Sequence, residues 1–324
     1  MKKFLNRVLL FSSIIILVIM ALIFAQPLIY RLIPSDFDRH LVFEKYVEES
    51  PSHNTSDAVI FGDSRAMFGI DTRIVKQQLH RQKDIYNFAS VGQNIYESSY
   101  FYSKVKYGTK LVIQCSGPSF FTEETKHNLP QAKAISMYLS GYRVDPATKQ
   151  LIPEYNSFFD HGSFYNYYCS KSYFVTYFHN LIRPVFDDEE FDVASRSSRY
   201  FPHHYTKDRL KNYASLIKTD CEGYVFKSEP KSQLRFVSQS NDFFRARNIK
   251  YVVVLMPVNP DVCNMGFELY KKTARELASI NGLHVIDLSD LLTPEYFYDN
   301  THANKRGAKL ISEALANGLK GYDL

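Results

Sequence analysis

The sequence predicts an α/β fold in which a mostly parallel sheet is covered by helices on both faces. Three observations support this prediction: short apolar runs recur along the chain, helix-length segments separate them, and the late runs consist mainly of Val and Leu. Strands that alternate with helix-length segments are typical of β-α-β units. Uninterrupted runs of Val and Leu fit strands that are buried on both faces. We therefore expect a three-layer α/β/α domain.

The expected elements fall into two α/β halves that a long middle segment separates. The first half has three short apolar runs and two helices, one with Asp71 as its N-cap and one closed by Gly108. Its elements are strands at 57–61, 84–89 and 110–115 and helices from Asp71 to Leu79 and from about Ile95 to Tyr107. The second half has strands at 251–256 and 284–288 and helices from about Ser232 to Arg247, around 266–280 and from about Asn304 to Leu319.

The middle segment, residues 118 to about 230, follows no clear period and is expected to be an insertion in the domain. Between Leu151 and Asn180, eleven of thirty residues are Phe or Tyr. Such aromatic side chains can form a small core of their own, and they can also form a surface that binds a ligand. The sequence leaves both interpretations open.

The N-terminus predicts a membrane anchor. From Val8 to Tyr30 the chain has 23 consecutive residues without Asp, Glu, Lys, Arg or His, and about 20 apolar residues span a bilayer. A cleaved signal peptide has a shorter apolar core and a small-residue cleavage site, so we expect an uncleaved transmembrane helix at 8–30. Three basic residues, Lys2, Lys3 and Arg7, precede this helix and place the rest of the chain outside the cytoplasm.

These features divide the chain into three regions. Residues 1–30 form the cytoplasmic tip and the anchor, and the polar residues 31–55 are expected to be a linker. The folded domain covers 56–324 and carries the insertion at about 118–230.

Composition argues against several classes of function. The formal charge of +5 is spread along the chain without a basic run or an aromatic-basic repeat, so nucleic acid is not an expected partner. No C-x-x-C pair occurs among the four cysteines, which argues against a zinc ribbon or a thioredoxin-like motif. A disulfide is permitted outside the cytoplasm, but we assign no pairing. Glycine-rich phosphate loops are absent, and we expect neither a cofactor nor a metal.

One serine and one histidine carry the chemical signal. Ser64 lies in the polar turn of VIFGDSRAMFGID at 59–71, directly after the first expected strand. A serine hydroxyl is a weak nucleophile unless a nearby base takes its proton, and that base needs a third group to orient it. His302 follows Asp299 by three residues in a polar loop after the last strand. Both loops are expected at the carboxyl edge of the sheet, where open α/β sheets bind ligands.

The motif GDSR at 62–65, directly after a strand, together with DNTH at 299–302 near the C-terminus, resembles the SGNH (GDSL-type) hydrolase superfamily. The similarity in order and topology covers nearly all of the chain outside the anchor and the insertion. The resemblance implies an SGNH, flavodoxin-like fold. It also implies that Ser64 is the nucleophile, His302 the general base and Asp299 the acid that orients this base.

The same resemblance implies an oxyanion hole made by the backbone N–H groups of Ser64 and Gly92. The family's third block normally adds an asparagine after the next strand, but here that segment reads IQCSGPSFF, and no Asn occurs between Asn94 and Asn128. Loss of one such donor can lower turnover by about 10²–10³. The candidates for a substitute are Ser116, Gly117, Ser119 and Asn94.

A Ser-His-Asp triad works through an acyl-enzyme. Transfer of the acyl group to water makes the protein an esterase, and transfer to a sugar hydroxyl makes it an O-acyltransferase. The layout with one N-terminal anchor is similar to that of membrane-anchored SGNH proteins of bacterial polysaccharide or teichoic-acid acylation. The resemblance implies addition or removal of acyl groups, expected to be acetyl, on a cell-envelope polysaccharide outside the bacterial inner membrane. It also implies a multi-spanning membrane O-acyltransferase as a partner. The missing asparagine favours a different hypothesis, a non-catalytic, membrane-tethered glycan-binding or scaffold subunit.

Other charged groups give weaker signals. Arg65 is a candidate contact for an anionic substrate, or else a surface residue at the start of a helix. His203 and His204 are adjacent, and because successive side chains diverge, a shared metal is not expected. The acidic run at 187–190 is expected to be a solvated loop rather than a cation site.

Overall fold

The computed structural model describes the two α/β halves and parts of the segments around them. The described residues are 2–32, 46, 58–80, 85–121, 142, 144–152, 231–262 and 267–322. The chain divides into two compact units. The first unit comprises residues 1–35, 130–143 and 157–190, and the second comprises 36–129, 144–156 and 191–324.

Helix α1 extends over Lys2–Leu32 in the first unit. Its side chains from residue 3 to residue 18 are all exposed, including Phe11 and Leu17. Among the described residues, no helix combines the length and the apolar character that crossing a membrane requires. The anchor expected at 8–30 stays a prediction.

The second unit contains a five-stranded sheet in which every pairing is parallel. The strands are β1 Ala58–Phe61, β2 Ile85–Asn87, β3 Leu111–Ser116, β4 Lys250–Leu255 and β5 His284–Asp287. Their order in the sheet is β2-β1-β3-β4-β5. All five strands lie within two residues of the predicted runs, and the α/β prediction is confirmed.

Helices cover both faces of this sheet. The helices are α2 Ser64–Gly69, α3 Thr72–Gln78, α4 Ile95–Ser99, α5 Pro146–Leu151, α6 Lys231–Arg245, α7 Phe267–Ala278 and α8 Lys305–Leu319. Val252 and Val254 of β4 belong to the apolar cluster that includes Leu315 of α8. The ring of Tyr251 points to the other face and stacks on Phe244 of α6, with the ring centroids 5.3 Å apart. Successive side chains of β4 therefore point to opposite faces of the sheet and pack against helices on both sides.

The prediction of a single helix from 95 to 107 is wrong in its length. Helix α4 ends at Ser99, and a short 3₁₀ turn follows at Tyr102–Lys104. Tyr100 and Tyr102 are fully buried, and the Tyr102 hydroxyl donates to the side-chain oxygen of Gln114 in β3 at 2.8 Å. Ser and Tyr are weaker helix formers than Ala or Leu, so the packing of these rings, rather than helical propensity, sets the backbone here.

Candidate active site

The carboxyl ends of β1 and β3 lie where the strand order of the sheet reverses, because the chain moves from β1 to β2 on one side and then to β3 on the other. Open α/β sheets bind ligands in the crevice at such a point. Ser64 comes shortly after β1, and Gly117 comes directly after β3. Neighbouring parallel strands therefore deliver these two segments to the same crevice.

The turn that carries Ser64 is built from a glycine and a helix cap. Gly62 has a φ of +156°, and a Cβ atom on it would lie 2.8 Å from the Cβ of Cys115 and 2.9 Å from that of Ala66. A side chain at position 62 therefore has no room. Asp63 is the N-cap of α2, and its Oδ1 accepts the backbone N–H of Arg65 at 2.9 Å. Ser64 is thus the first residue of α2.

The loop that carries His302 is closed by its own backbone. The N–H of Tyr298 donates to the carbonyl oxygen of His302 at 2.8 Å, and the N–H of Asn304 donates to that of Tyr296 at 2.9 Å. The Asn304 side chain caps α8 by accepting the N–H groups of Arg306 and Gly307, both at 3.0 Å. The loop between the 3₁₀ turn at Pro294–Tyr296 and α8 is consequently anchored at both ends.

These two loops bring Ser64, His302 and Asp299 into one chain of hydrogen bonds. Ser64 Oγ lies 2.8 Å from His302 Nε2, and His302 Nδ1 lies 2.7 Å from Asp299 Oδ2. The side chains of His302 and Asp299 are 20% and 16% exposed, so a small molecule can still approach a site that is largely shielded from water. A serine, an imidazole and a carboxylate in this order have the geometry of a nucleophile, its base and an orienting acid.

Asp299 is held by more than the imidazole. Its Oδ1 accepts the backbone N–H of His302 at 2.6 Å and that of Thr301 at 2.8 Å, and the Thr301 hydroxyl lies 3.3 Å from the same oxygen. Burial opposes the ionisation of Asp299, but the hydrogen bond and charge of His302 and the two N–H groups outweigh it and lower the pKa of this carboxyl. The carboxylate is therefore ionised at neutral pH and can balance a positive imidazole.

Three further residues, none of them among the predicted site residues, support this arrangement. The ring of Phe68 meets the imidazole of His302 edge to face at 5.6 Å, and the Thr301 hydroxyl lies 3.1 Å from His302 Nδ1. Asn259, which is 1% exposed, donates from Nδ2 to the carbonyl oxygen of Asp299 at 3.3 Å. Asn259 follows β4 at the carboxyl edge of the sheet, and this position is the sequence feature that could have indicated a role at the site.

The candidates for the oxyanion hole lie in different settings. Gly92 occupies an exposed turn after β2 with a φ of +64°, and a Cβ there would meet no atom within 4 Å. Asn94 caps α4, with its Oδ1 accepting the N–H of Glu97 at 3.0 Å. The carbonyl oxygen of Ser116 accepts the hydroxyl of Tyr270 at 2.7 Å. Of Ser119, only the backbone is described. The donors assigned to Ser64 and Gly92 stay predictions.

Arg65 lies on Asp63 and against Gly117. Its Nη1 is 2.6 Å from Asp63 Oδ2, and the two side chains are 11% and 12% exposed. A Cβ on Gly117 would lie 2.3 Å from that same Nη1. The structure thus places Arg65 in a largely buried ion pair at the end of β3, rather than on the surface at a helix start.

Several sequence candidates lie outside the described residues: His203, His204, the acidic run 187–190, the aromatic stretch 151–180 except for its first two residues, and the cysteines at 169, 221 and 263. The fourth cysteine, Cys115, is buried and has a free thiol. In the part of the chain that the structure describes, no group of three or more His, Cys, Asp or Glu side chains could hold a metal ion.

No protein-family model matches this chain, and no curated protein matches it. A proposal for the function therefore rests on the geometry of Ser64, His302 and Asp299.

Proposed function

We propose that the protein is a serine esterase or O-acyltransferase of the SGNH type that acts on acyl esters through an acyl-enzyme. The observation that carries this proposal is the continuous hydrogen-bond chain from Ser64 through His302 to Asp299, with distances of 2.8 and 2.7 Å. The shared carboxyl-edge position of both loops, at the reversal point of a parallel sheet, is a second support.

In the first half of the reaction, Ser64 Oγ bonds to the carbonyl carbon of the ester while His302 Nε2 takes the hydroxyl proton. The carbonyl electron pair moves onto oxygen and returns when the alcohol leaves, and the alcohol takes the proton from Nε2. In the second half, an acceptor hydroxyl gives its proton to Nε2 and bonds to the acyl carbon. The bond between the acyl carbon and Ser64 Oγ then breaks, and Oγ takes the proton back from Nε2. Water as the acceptor makes the protein an esterase, and a sugar hydroxyl makes it a transferase.

Asp299 has two tasks in this scheme. By accepting the hydrogen bond from Nδ1, it keeps the Nε2 lone pair directed at Ser64. Its negative charge also stabilises the imidazolium that forms when His302 takes the proton. Preorganised carboxylates of this kind need no rearrangement at the moment of reaction.

For the developing oxyanion we propose the backbone N–H groups of Ser64 and Gly92 as donors. Ser64 lies at the start of α2, where N–H groups have no partner within the helix. Gly92 belongs to an exposed turn at the same edge of the sheet. The lack of an asparagine after β3 leaves this hole with fewer donors than the family pattern implies.

The substrate that we propose is an acylated, expected to be acetylated, polysaccharide of the bacterial cell envelope. The support is the resemblance to membrane-anchored SGNH proteins together with the apolar N-terminus at 8–30. In this proposal that segment anchors the chain in the inner membrane, the domain faces the extracytoplasmic side, and a multi-spanning O-acyltransferase supplies or receives the acyl group.

The test is covalent labelling of the full chain with a fluorophosphonate probe, in detergent micelles. Wild-type protein should be labelled, Ser64→Ala should not, and Ser279→Ala should be labelled like wild type because Ser279 is an exposed serine whose hydroxyl bonds only to a neighbouring carbonyl. Labelling that is absent in wild type, or that survives Ser64→Ala, contradicts the proposal. Product analysis with water and an oligosaccharide in competition then separates an esterase from a transferase.

A second candidate is a non-catalytic scaffold or glycan-binding subunit, which the missing third-block asparagine favours. Arg65 against Gly117, in the segment after β3 where the family pattern has an asparagine, fits this candidate too. The same labelling experiment distinguishes the two candidates, because a scaffold should not react with the probe. A scaffold should also bind an envelope oligosaccharide with the same affinity in the wild-type protein and in the Ser64→Ala variant.

A further inference from the structure

Two residues of opposite charge flank Ser64 and are joined to each other. Asp63 uses one carboxylate oxygen to cap α2 through the N–H of Arg65 at 2.9 Å, and the other to pair with the Arg65 guanidinium at 2.6 Å. Both side chains are about nine-tenths buried. The peptide units on either side of Ser64 are therefore closed into a small ring by side-chain and backbone bonds.

This ring lies on the backbone at the end of β3. A Cβ on Gly117 would be 2.3 Å from Arg65 Nη1, 2.9 Å from its Cζ and 3.1 Å from Asp63 Oδ2. Real Cβ contacts are essentially never shorter than 3.0 Å, so any side chain at position 117 would displace the guanidinium. The glycine at this position is required by Arg65, and no asparagine could occupy it while Arg65 stays where it is.

The surroundings keep this part of the sheet edge in place. The buried hydroxyl of Tyr270 donates to the carbonyl oxygen of Ser116 at 2.7 Å and lies 3.3 Å from that of Met256. It thereby ties α7 to the ends of β3 and β4. The end of β3, on which Arg65 lies, is thus itself held by α7.

We propose that Arg65 is a positioning residue for the nucleophile. Its ion pair with Asp63, packed against Gly117, holds Ser64 Oγ at hydrogen-bonding distance from His302. The inference rests on the serine chemistry of the proposed function and replaces the expectation that Arg65 contacts an anionic substrate. Since a misplacement of about 1 Å can lower a rate by about 10²-fold, the effect should be on kcat. A substrate contact would instead raise KM with kcat unchanged.

Three variants, and the combination of the first two, test the inference in the full chain. Arg65→Met removes the guanidinium, and Gly117→Ala displaces it while leaving Arg65 in the chain. Because Arg65→Met leaves a buried carboxylate without its partner, the double variant Asp63→Asn/Arg65→Met removes both charges, and Asn can still cap the helix. Matched controls are Gly321→Ala, where a Cβ would meet nothing within 4 Å, and Arg245→Met, which breaks an ion pair whose side chains are 60% and 58% exposed.

The readouts are kcat and KM for p-nitrophenyl acetate, thermal melting, and a crystal structure of each folded variant. We expect Arg65→Met and Gly117→Ala each to lower kcat by about 10–100-fold while KM changes by less than about threefold. Because both act on the same contact, their combination should be about as slow as the slower single variant, rather than slower by the product of the two effects. The controls should match wild type.

Several results would contradict the inference. A rise in KM alone would make Arg65 a substrate contact, and multiplicative losses would mean that Arg65 and Gly117 act separately. Wild-type kcat in a folded Asp63→Asn/Arg65→Met variant would show that the ion pair positions nothing. If wild type itself shows no Ser64-dependent reaction, the proposed function fails, and the crystal structures then decide the inference: a distance from Ser64 Oγ to His302 Nε2 that stays within about 3.2 Å in the variants overturns it.

Discussion

Gly307 in the first turn of α8 offers a sensitive test of how the His302 loop is held. An ideal Cβ at this position would lie 2.4 Å from the carbonyl oxygen of Tyr296 and 3.1 Å from the Cβ of Ala303. Contacts under 3.0 Å force a shift, so Gly307→Ala must move the Tyr296 carbonyl or the helix by about 0.6 Å. The Tyr296 carbonyl also accepts the N–H of Asn304 at 2.9 Å, and His302 lies between these two residues.

The size of the effect follows from this displacement. If the loop moves with the helix, the distance from Ser64 Oγ to His302 Nε2 increases from 2.8 Å toward about 3.4 Å, beyond a good hydrogen bond. Since about 1 Å can cost about 10²-fold in rate, we expect kcat to fall about tenfold. Alanine is the better helix former by about 1 kcal/mol, whereas overpacking costs about 1–3 kcal/mol, so the free energy of unfolding should fall by up to about 2 kcal/mol.

The assay is kcat for p-nitrophenyl acetate beside the free energy of unfolding in urea. Gly318→Ala in the same helix is the matched control, because its Cβ would meet side-chain atoms of Ile286 at 3.0–3.3 Å rather than a backbone carbonyl of the His302 loop. It should keep wild-type kcat. A Gly307→Ala protein that is more stable than wild type and equally active would refute the reasoning, because it would mean that helix propensity decides at this position and that the contact with Tyr296 relaxes without cost.

Three further predictions concern groups around the same site. The pKa of Asp299 is lowered in the folded protein, so its carboxylate stabilises the fold above the unfolded value of about 3.9, and this stability is lost as the pH falls through the lower folded value. The difference in free energy of unfolding between wild type and Asp299→Asn should therefore be constant above about pH 5 and shrink below it; a difference that grows on acidification would be inconsistent with this sign. Thr301→Val removes a hydroxyl that lies 3.1 Å from His302 Nδ1 and should lower kcat by about three- to tenfold, whereas Thr301→Ser should keep the rate; equal losses in both would count against a role for the hydroxyl. Ser312→Ala removes the acceptor of the buried Asp71 N–H, 2.8 Å away, and should lower the free energy of unfolding by about 1–3 kcal/mol, which an unchanged urea midpoint would contradict.

Local sequence signals were enough for most of the fold around the site. The run YVVVLM predicted β4 within one residue because a strand buried on both faces is apolar throughout. Asp71 predicted the start of α3 because its side chain can accept the N–H groups of the first turn. The last helix was predicted to begin at about Asn304, and this residue is the N-cap of α8. The order of GDSR and DNTH, each after a strand, predicted which loops would meet.

The misses have a common physical cause. The length of α4 was mispredicted because burial of Tyr100 and Tyr102 against distant strands overrides local propensity. The surface position, one of the two alternatives for Arg65, is wrong because the burial of this side chain depends on Gly117, which follows another strand. Asn259 carries no motif, and its contact with the Asp299 carbonyl requires that β4 end beside that loop. In each case the deciding neighbour is remote in sequence.

The site consists of two halves, and each half is held by contacts between residues that are close in sequence. The tertiary fold therefore sets the distance between the two halves. Asp299 and His302 are three residues apart and share a loop, and Asp63 and Arg65 enclose Ser64 within one turn. The separation of the two halves depends on how α8 packs against α2 and α3. Gly69 at the end of α2 approaches Ile311 of α8, where a Cβ would lie 3.2 Å from Cδ1. Ser312 of α8 binds the N–H of Asp71 at 2.8 Å. Changes at this helix contact should therefore alter the distance between Ser64 and His302 while the hydrogen bonds within each half stay intact.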